Sequence, residues 1–258
     1  MKNVIVNYGR KTREEVKNFL ILKDLQSNNL DWCKWAGWID TDGSMRKEKN
    51  NMIVLLGLKD RQPVELLSQF FETSLTYREH KTTTPEPYRR EYIAKEYETK
   101  LNGPKALFLI QKIYPYLLNE DKKNRAIEVL GYTPESKKLD DWTKEEVVSY
   151  FATAFEGDGS VTIRENKFKK QFMYMVLLSS NAEYLSLVKY LIDKHFNTIL
   201  PLKQIATYQT KKGTKHKFRL HIDKIPDLYH MLIKDNIMTL DRKKNKIVNY
   251  LNQGDVNE

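Results

Sequence analysis

Trp35-Ala36-Gly37-Trp38-Ile39-Asp40-Thr41-Asp42-Gly43-Ser44 is nearly repeated, half a chain later, by Phe151-Ala152-Thr153-Ala154-Phe155-Glu156-Gly157-Asp158-Gly159-Ser160. Each stretch reads as an apolar helix with small residues that runs into acid-x-Asp-Gly-Ser. Gly37 matches Thr153 in the repeat, and Ala36 matches Ala152. Glycine inside a helix costs about 1 kcal/mol relative to alanine. Small residues there make sense where two helix backbones pack closely. The two motif helices are therefore expected to touch along this face, with Trp35, Trp38, Ile39, Phe151 and Phe155 packed against two sheets. Gly43 and Gly159 are expected to stop each helix in the left-handed cap conformation. Carbonyls at a helix C-terminus lack intrahelical partners and carry partial negative charge. Adding Asp42 and Asp158 there concentrates negative potential, so two such ends side by side call for cations between them. Mg²⁺ suits carboxylate, carbonyl and phosphate oxygens, and the carbonyls of Thr41 and Gly157 offer further ligands.

The similarity extends beyond the motifs. Each is followed by a hairpin pattern, whose second strands are the apolar runs Met52 to Leu58 and Phe172 to Leu178. A helix pattern follows in each half, Pro63 to Thr73 and Ala182 to His195. A second strand pair comes next, roughly Ser74–Thr82 with Tyr88–Tyr97, then Ile199–Thr210 with Lys215–Ile222. Helices close each half, and Lys122-Lys123-Asn124-Arg125 in the first is answered by Lys243-Lys244-Asn245-Lys246 in the second, at nearly the same interval from the motif aspartate. The division expected is an N-terminal extension at 1–28, a first repeat at 29–130, a linker at 131–141 and a second repeat at 142–258. Thr12 to Gln26 suggests an extra amphipathic helix, and Thr143 with Glu146 a capping box at the start of the second motif helix.

The chain has 258 residues and a formal charge of +10. Positive charge of this size favours a polyanionic partner such as nucleic acid. Cys33 is the single cysteine, so no internal disulfide forms and a reducing, intracellular setting is expected. No run approaches the 18 apolar residues of a membrane span. A calcium loop of the EF-hand type fails, because its first ligand position falls on Trp38 or Ala154. The five histidines, His80, His195, His216, His221 and His230, lack zinc-ligand spacing and cysteine partners. No Ser-His-Asp arrangement has local support.

The doubled motif with its paired lysine segments resembles the LAGLIDADG homing endonucleases in their single-chain form, over about 230 residues from Leu30 onward. The second copy departs at Thr153 and Glu156, while the acid before the final glycine is present in both. The resemblance implies an α+β fold of two pseudosymmetric αββαββα repeats, with two four-stranded antiparallel sheets forming a saddle in the DNA major groove. It implies that Asp42 and Asp158 bind catalytic Mg²⁺, two or three divalent ions lying between them. It places Lys122 and Lys243 beside the scissile phosphates. Asp60 and either Ser179 or Ser180 take the place of a polar residue that orders solvent. Enzymes of this kind cut both strands across the minor groove and leave short 3′ overhangs.

A strand of about 10 residues spans about 33 Å, close to one turn of duplex, so two repeats are expected to read roughly 20 base pairs. The candidate DNA-contacting residues are Arg46, Lys47, Lys49, Arg78, Lys81, Arg89 and Arg90 in the first half. In the second they are Arg164, Asn166, Lys169, Gln171, Lys203, Gln204, Tyr208, Gln209, Lys211 and Lys217. Lys211-Lys212 and Lys215-His216-Lys217, which flank a glycine turn, are assigned to backbone contacts. The leading expectation is a monomeric, Mg²⁺-dependent, site-specific double-strand DNA endonuclease, intron-encoded and made where its DNA resides, in a mitochondrion, a chloroplast or a bacterial cytoplasm. The alternative is an intron RNA maturase of the same fold. A DNA-binding regulator without cleavage is the third reading, and the two intact aspartates argue against it.

Overall fold

The computed structural model describes residues 2–6, 8–9, 11–83, 91–165, 171–197, 205–210, 213–221, 225–233, 235 and 237–254. A short strand β1 (Lys2–Val6) and helix α1 (Arg13–Gln26) precede the first repeat. That repeat runs α2 (Asn29–Thr41), β2 (Gly43–Glu48), β3 (Asn51–Leu58), α3 (Arg61–Phe70), β4 (Leu75–Thr83), β5 (Glu91–Asn102), α4 (Pro104–Ile113) and α5 (Glu120–Leu130). The second runs α6 (Lys144–Asp158), β6 (Gly159–Glu165), β7 (Gln171–Ser179), α7 (Ala182–Phe196), β8 (Ile205–Thr210), β9 (Gly213–His221), α8 (Pro226–Ile233) and α9 (Asp241–Gly254). Local chemistry sets the helix starts. Capping boxes open α1 (Thr12 with Glu15), α2 (Asn28 with Asp31) and α6 (Thr143 with Glu146). Gly131, left-handed at φ 77°, ends α5. Among the described residues no helix is long and apolar enough to cross a membrane.

The sheets are antiparallel, ordered β1-β4-β5-β3-β2 and β6-β7-β9-β8. The first sheet thus has five strands rather than the expected four. β4 would otherwise be an edge with unpaired backbone groups, and residues 2–6 pair with it, Lys2 opposite Arg78 and Val4 opposite Thr76. The N-terminal extension stands outside the repeat yet completes its sheet.

Alternation along the strands assigns each residue to a face. Met45, Val54, Leu56, Leu75 and Leu101 of the first sheet, and Met173, Met175, Leu177, Phe218 and Leu220 of the second, are buried under the helices. Their neighbours in sequence lie on the open face. This core is continuous through the two motif helices, where Trp35, Trp38, Phe151 and Phe155 are all buried.

Helices α2 and α6 pack against each other backbone to backbone. A Cβ added to Gly37 would lie 2.2 Å from Thr153 Oγ1 and 2.5 Å from the Tyr150 carbonyl oxygen, so only glycine fits there. The expected left-handed caps do not form at Gly43 and Gly159. Gly159 is extended at φ −88°, and Gly43 is not among the residues of positive φ. These glycines answer a steric demand instead. In each repeat the chain turns into its first strand directly under the last helical turn, where a Cβ would meet Ile39 Cα at 2.6 Å or the Phe155 carbonyl at 2.2 Å.

Candidate active site at the pseudo-twofold axis

The packing of α2 on α6 carries both motif aspartates to the axis between the two sheets. Asp42 caps α2 and Asp158 is the last residue of α6. A Cβ on Gly157 would sit 2.2 Å from Thr41 Oγ1 and 2.4 Å from Asp42 Oδ2, so each motif's end lies against the other's. Asp42 Oδ2 is buried and has no hydrogen-bond donor among the described residues. Burial, reinforced by the nearby Asp158 charge, pushes the Asp42 carboxyl up to about 6. Asp158 is exposed to solvent, yet loss of hydration still raises its carboxyl, opposed by Lys215, Lys243 and Lys122.

The earlier acid of each motif has a different task, one the sequence reading assigned to neither. Asp40 is 2 % exposed. Its Oδ2 accepts from the backbone N–H of Leu118 at 2.7 Å and of Asn119 at 3.3 Å, and from the Tyr150 hydroxyl of the other motif helix. Glu156 accepts from Leu240 N–H at 2.8 Å, Thr239 Oγ1 at 2.8 Å and Thr239 N–H. Asp40 and Glu156 therefore anchor equivalent turns, those entering α5 and α9. Burial raises the Asp40 carboxyl to about 7, and it raises Glu156 as well.

Those turns deliver the paired lysines. Lys122 Nζ donates to the Gly43 carbonyl. Lys243 is 4 % exposed, and its Nζ donates to the carbonyls of Phe155 at 2.7 Å, Glu156 at 2.6 Å and Gly157 at 3.4 Å. Burial first, then Arg242, lowers Lys243 to about 8. Burial also lowers Lys122. The two lysines are not equivalent: Lys122 lines an open groove with Asp158, Asp121, Arg125, Ser179, Ser180 and Lys215, whereas Lys243 lies beneath the end of α6. A second groove holds Asp42 with Asp60, Glu96, Glu156, Gly157 and Arg242. Each groove is built from both halves of the chain.

Asp60 caps α3 and pairs with Arg242 at 2.9 Å. Its counterpart by strand register is Asn181, which caps α7 and accepts from Tyr184 N–H at 3.1 Å. Ser179 Oγ accepts from Asn181 N–H at 3.0 Å, and Ser180 is exposed beside it.

The candidate DNA-contacting residues divide by face. Arg46, Arg78, Arg164, Tyr208 and Lys217 alternate onto the open faces, while Lys47, Lys81 and Gln209 fall on the opposite side. Lys49 sits in the β2–β3 turn at φ 55°. Gln171 opens β7 opposite Glu165. Arg89, Arg90, Asn166, Lys169, Lys203, Gln204 and Lys211 lie outside the described residues. Two cations that sequence reasoning did not assign to base reading, Lys215 and Arg219, stand on the second open face.

No family model and no curated protein matches this sequence. Solved structures match it in shape. The LAGLIDADG meganuclease I-AabMI bound to uncleaved DNA superposes with a TM-score of 0.51 at 12% identity, over 89% of this chain and 91% of that one. The chain has the two-repeat LAGLIDADG fold. The I-LtrWI LAGLIDADG homing endonuclease bound to target DNA agrees, with a TM-score of 0.50 at 12% identity, covering 88% of this chain and 92% of its own. Both comparisons span nearly the full length of either chain, so the LAGLIDADG fold here includes both repeats and the axis between them.

Proposed function

We propose that this protein is a site-specific endonuclease that hydrolyses both strands of a long, asymmetric DNA duplex with Mg²⁺. The observation that carries the reading is the packing of Asp42 against Gly157 at the end of the other motif helix, which brings the Asp158 charge within reach of Asp42. Asp42 Oδ2, buried without a hydrogen bond among the described residues, is left available to a cation.

The residues fit a divalent cation. Asp42, Asp158 and the carbonyls of Thr41 and Gly157 would hold it, all oxygen donors of the kind Mg²⁺ prefers. No group of three or more His, Cys, Asp or Glu side chains poised to hold a metal ion occurs among the described residues; phosphate and water oxygens would complete the shell of an ion held here. When bound, such an ion lowers the pKa of water and neutralises charge on phosphate oxygens. Lys122, facing the Asp158 groove, stabilises charge developing on a phosphate held there. Lys243 acts as a positioning residue, tying the last carbonyls of α6 so that Asp158 and Gly157 keep their place. Asp40 and Glu156 fix the turns that carry both lysines.

One chain supplies both carboxylates and both lysines, so a monomer is complete. Different residues on the two sheets make the target asymmetric. The test is incubation of a plasmid library carrying randomised inserts with the protein and MgCl₂, followed by sequencing of the broken ends. Recovery of one site of about 20 base pairs with short 3′ overhangs supports the proposal. Intact plasmids, with tight binding to a structured intron RNA, would overturn it in favour of an RNA-splicing role.

A further inference from the structure

Strand register allows the two open faces to be compared residue by residue. Gly43 pairs with Leu56 and Gly159 with Leu177, and these partners pair onward with Thr99 and Phe218. Counting from them along β5 and β9, Lys100 corresponds to Arg219, Glu98 to Lys217 and Glu96 to Lys215. The central strand of the first sheet thus bears two carboxylates where the second bears two ammonium groups.

The surrounding positions extend the contrast. Among the described residues, the first open face carries Arg46, Arg78, Lys100 and, by its register opposite Arg78, Lys2, against Glu48, Glu96 and the buried Glu98. Two of its cations are already paired, Arg46 with Glu48 at 2.7 Å and Arg78 with Glu96. The second open face carries Arg164, Lys215, Lys217 and Arg219, with no carboxylate among the described residues. Formal charge among the described residues is therefore near zero on the first open face and strongly positive on the second.

We infer that the two sheets divide the work of DNA binding: the second grips the phosphate backbone through Lys215, Lys217 and Arg219, and the first contributes discrimination with little grip. The inference rests on the DNA-binding reading above. Its physics is counterion release, since only cations that neutralise phosphates displace condensed ions and generate salt-dependent affinity. An arginine held by a neighbouring carboxylate has little charge left to give. A carboxylate facing the duplex repels phosphate and is relieved only by a base-edge donor, such as a cytosine N4 amino group. Such a surface selects among sequences more than it attracts them.

The probe is a fluorescein-labelled 30-base-pair duplex of random sequence in EDTA, followed by anisotropy between 50 and 300 mM KCl. The double variant K217A/R219A is expected to lower the slope of log K against log salt by about 2 and to weaken binding about 10- to 100-fold at 100 mM salt. R46A/R78A is expected to change the slope by less than about 0.5. Glu96→Gln is expected to tighten binding a few-fold, a gain that misfolding does not produce. Equal slope losses from the two double variants, or no gain from Glu96→Gln, would overturn the inference. A parent protein that fails to bind the duplex at 50 mM salt would instead overturn the underlying DNA-binding reading.

Discussion

Asp42 is held at a thermodynamic disadvantage, and removing its charge makes the protein more stable. Its carboxyl rises from the ordinary 3.8 to about 6 through burial and the charge of Asp158. A shift of that size is worth about 3 kcal/mol as an upper value. The fold favours the protonated form, so the associated stability is present below the ordinary carboxylate range and is lost as pH rises through about 6. At pH 7.5 without metal, the ionised parent carries the full cost. Asp42→Asn keeps the shape, removes the charge and also gives Asp158 a neutral neighbour. It is therefore expected to be about 1–3 kcal/mol more stable at pH 7.5, and equal to the parent near pH 4. At about 2–4 °C per kcal/mol for a chain of this size, the variant melts about 3–10 °C higher in EDTA at pH 7.5. Thermal unfolding followed by far-UV circular dichroism across pH 4–8 reads this directly. Adding MgCl₂ at pH 7.5 is expected to raise the parent's Tm more than the variant's, because a bound cation removes the same cost. A variant that gains nothing over the parent between pH 4 and 7.5 would refute the reasoning.

Two further outcomes follow from the packing at the axis. Gly37→Ala places a methyl 2.5 Å from the Tyr150 carbonyl. The overpacking, about 1–3 kcal/mol, outweighs the gain of about 1 kcal/mol in helix propensity, so the urea midpoint falls; an unchanged or higher midpoint would show that the helices do not pack this closely. Tyr150→Phe removes a hydroxyl that donates to Asp40, at a cost of about 1.5–3 kcal/mol. It also speeds amide hydrogen exchange at Leu118 and Asn119, whose N–H groups share that oxygen; unaltered exchange there would separate Asp40 from the turn it is said to anchor.

The duplicated motif made the architecture legible, because two landmarks in the same order specify a repeat whatever the details of each element. The helix contact through Gly37 was legible for the same steric reason that glycine is tolerated inside a helix at all. Four features were not. Gly43 and Gly159 read as caps because glycine after a helix usually supplies positive φ, while here the demand is space under Ile39 and Phe155. Asp40 and Glu156 carried no sequence signal of their own, because their partners, Leu118, Asn119, Thr239 and Leu240, are some 80 residues away and bind largely through backbone N–H groups that a sequence does not display. The base readers divided by face because a single-residue difference in register moves a side chain across the sheet. Arg46 and Lys47 look alike in sequence and end on opposite sides, while Arg219 sits in a basic strand with nothing local to mark it. The pairing of residues 2–6 with β4 left no signal beyond a short apolar run near the start.

The proposed function requires Asp42 and Asp158 to act together in metal-dependent cutting of DNA. The most direct measurement uses the site recovered from the plasmid library, with Asp42→Asn and Asp158→Asn tested side by side for cutting in MgCl₂ and for binding in EDTA. Each variant is expected to bind the duplex within a few-fold of the parent and to make no double-strand break. A variant at either position that still cut both strands at the parent rate would contradict that requirement.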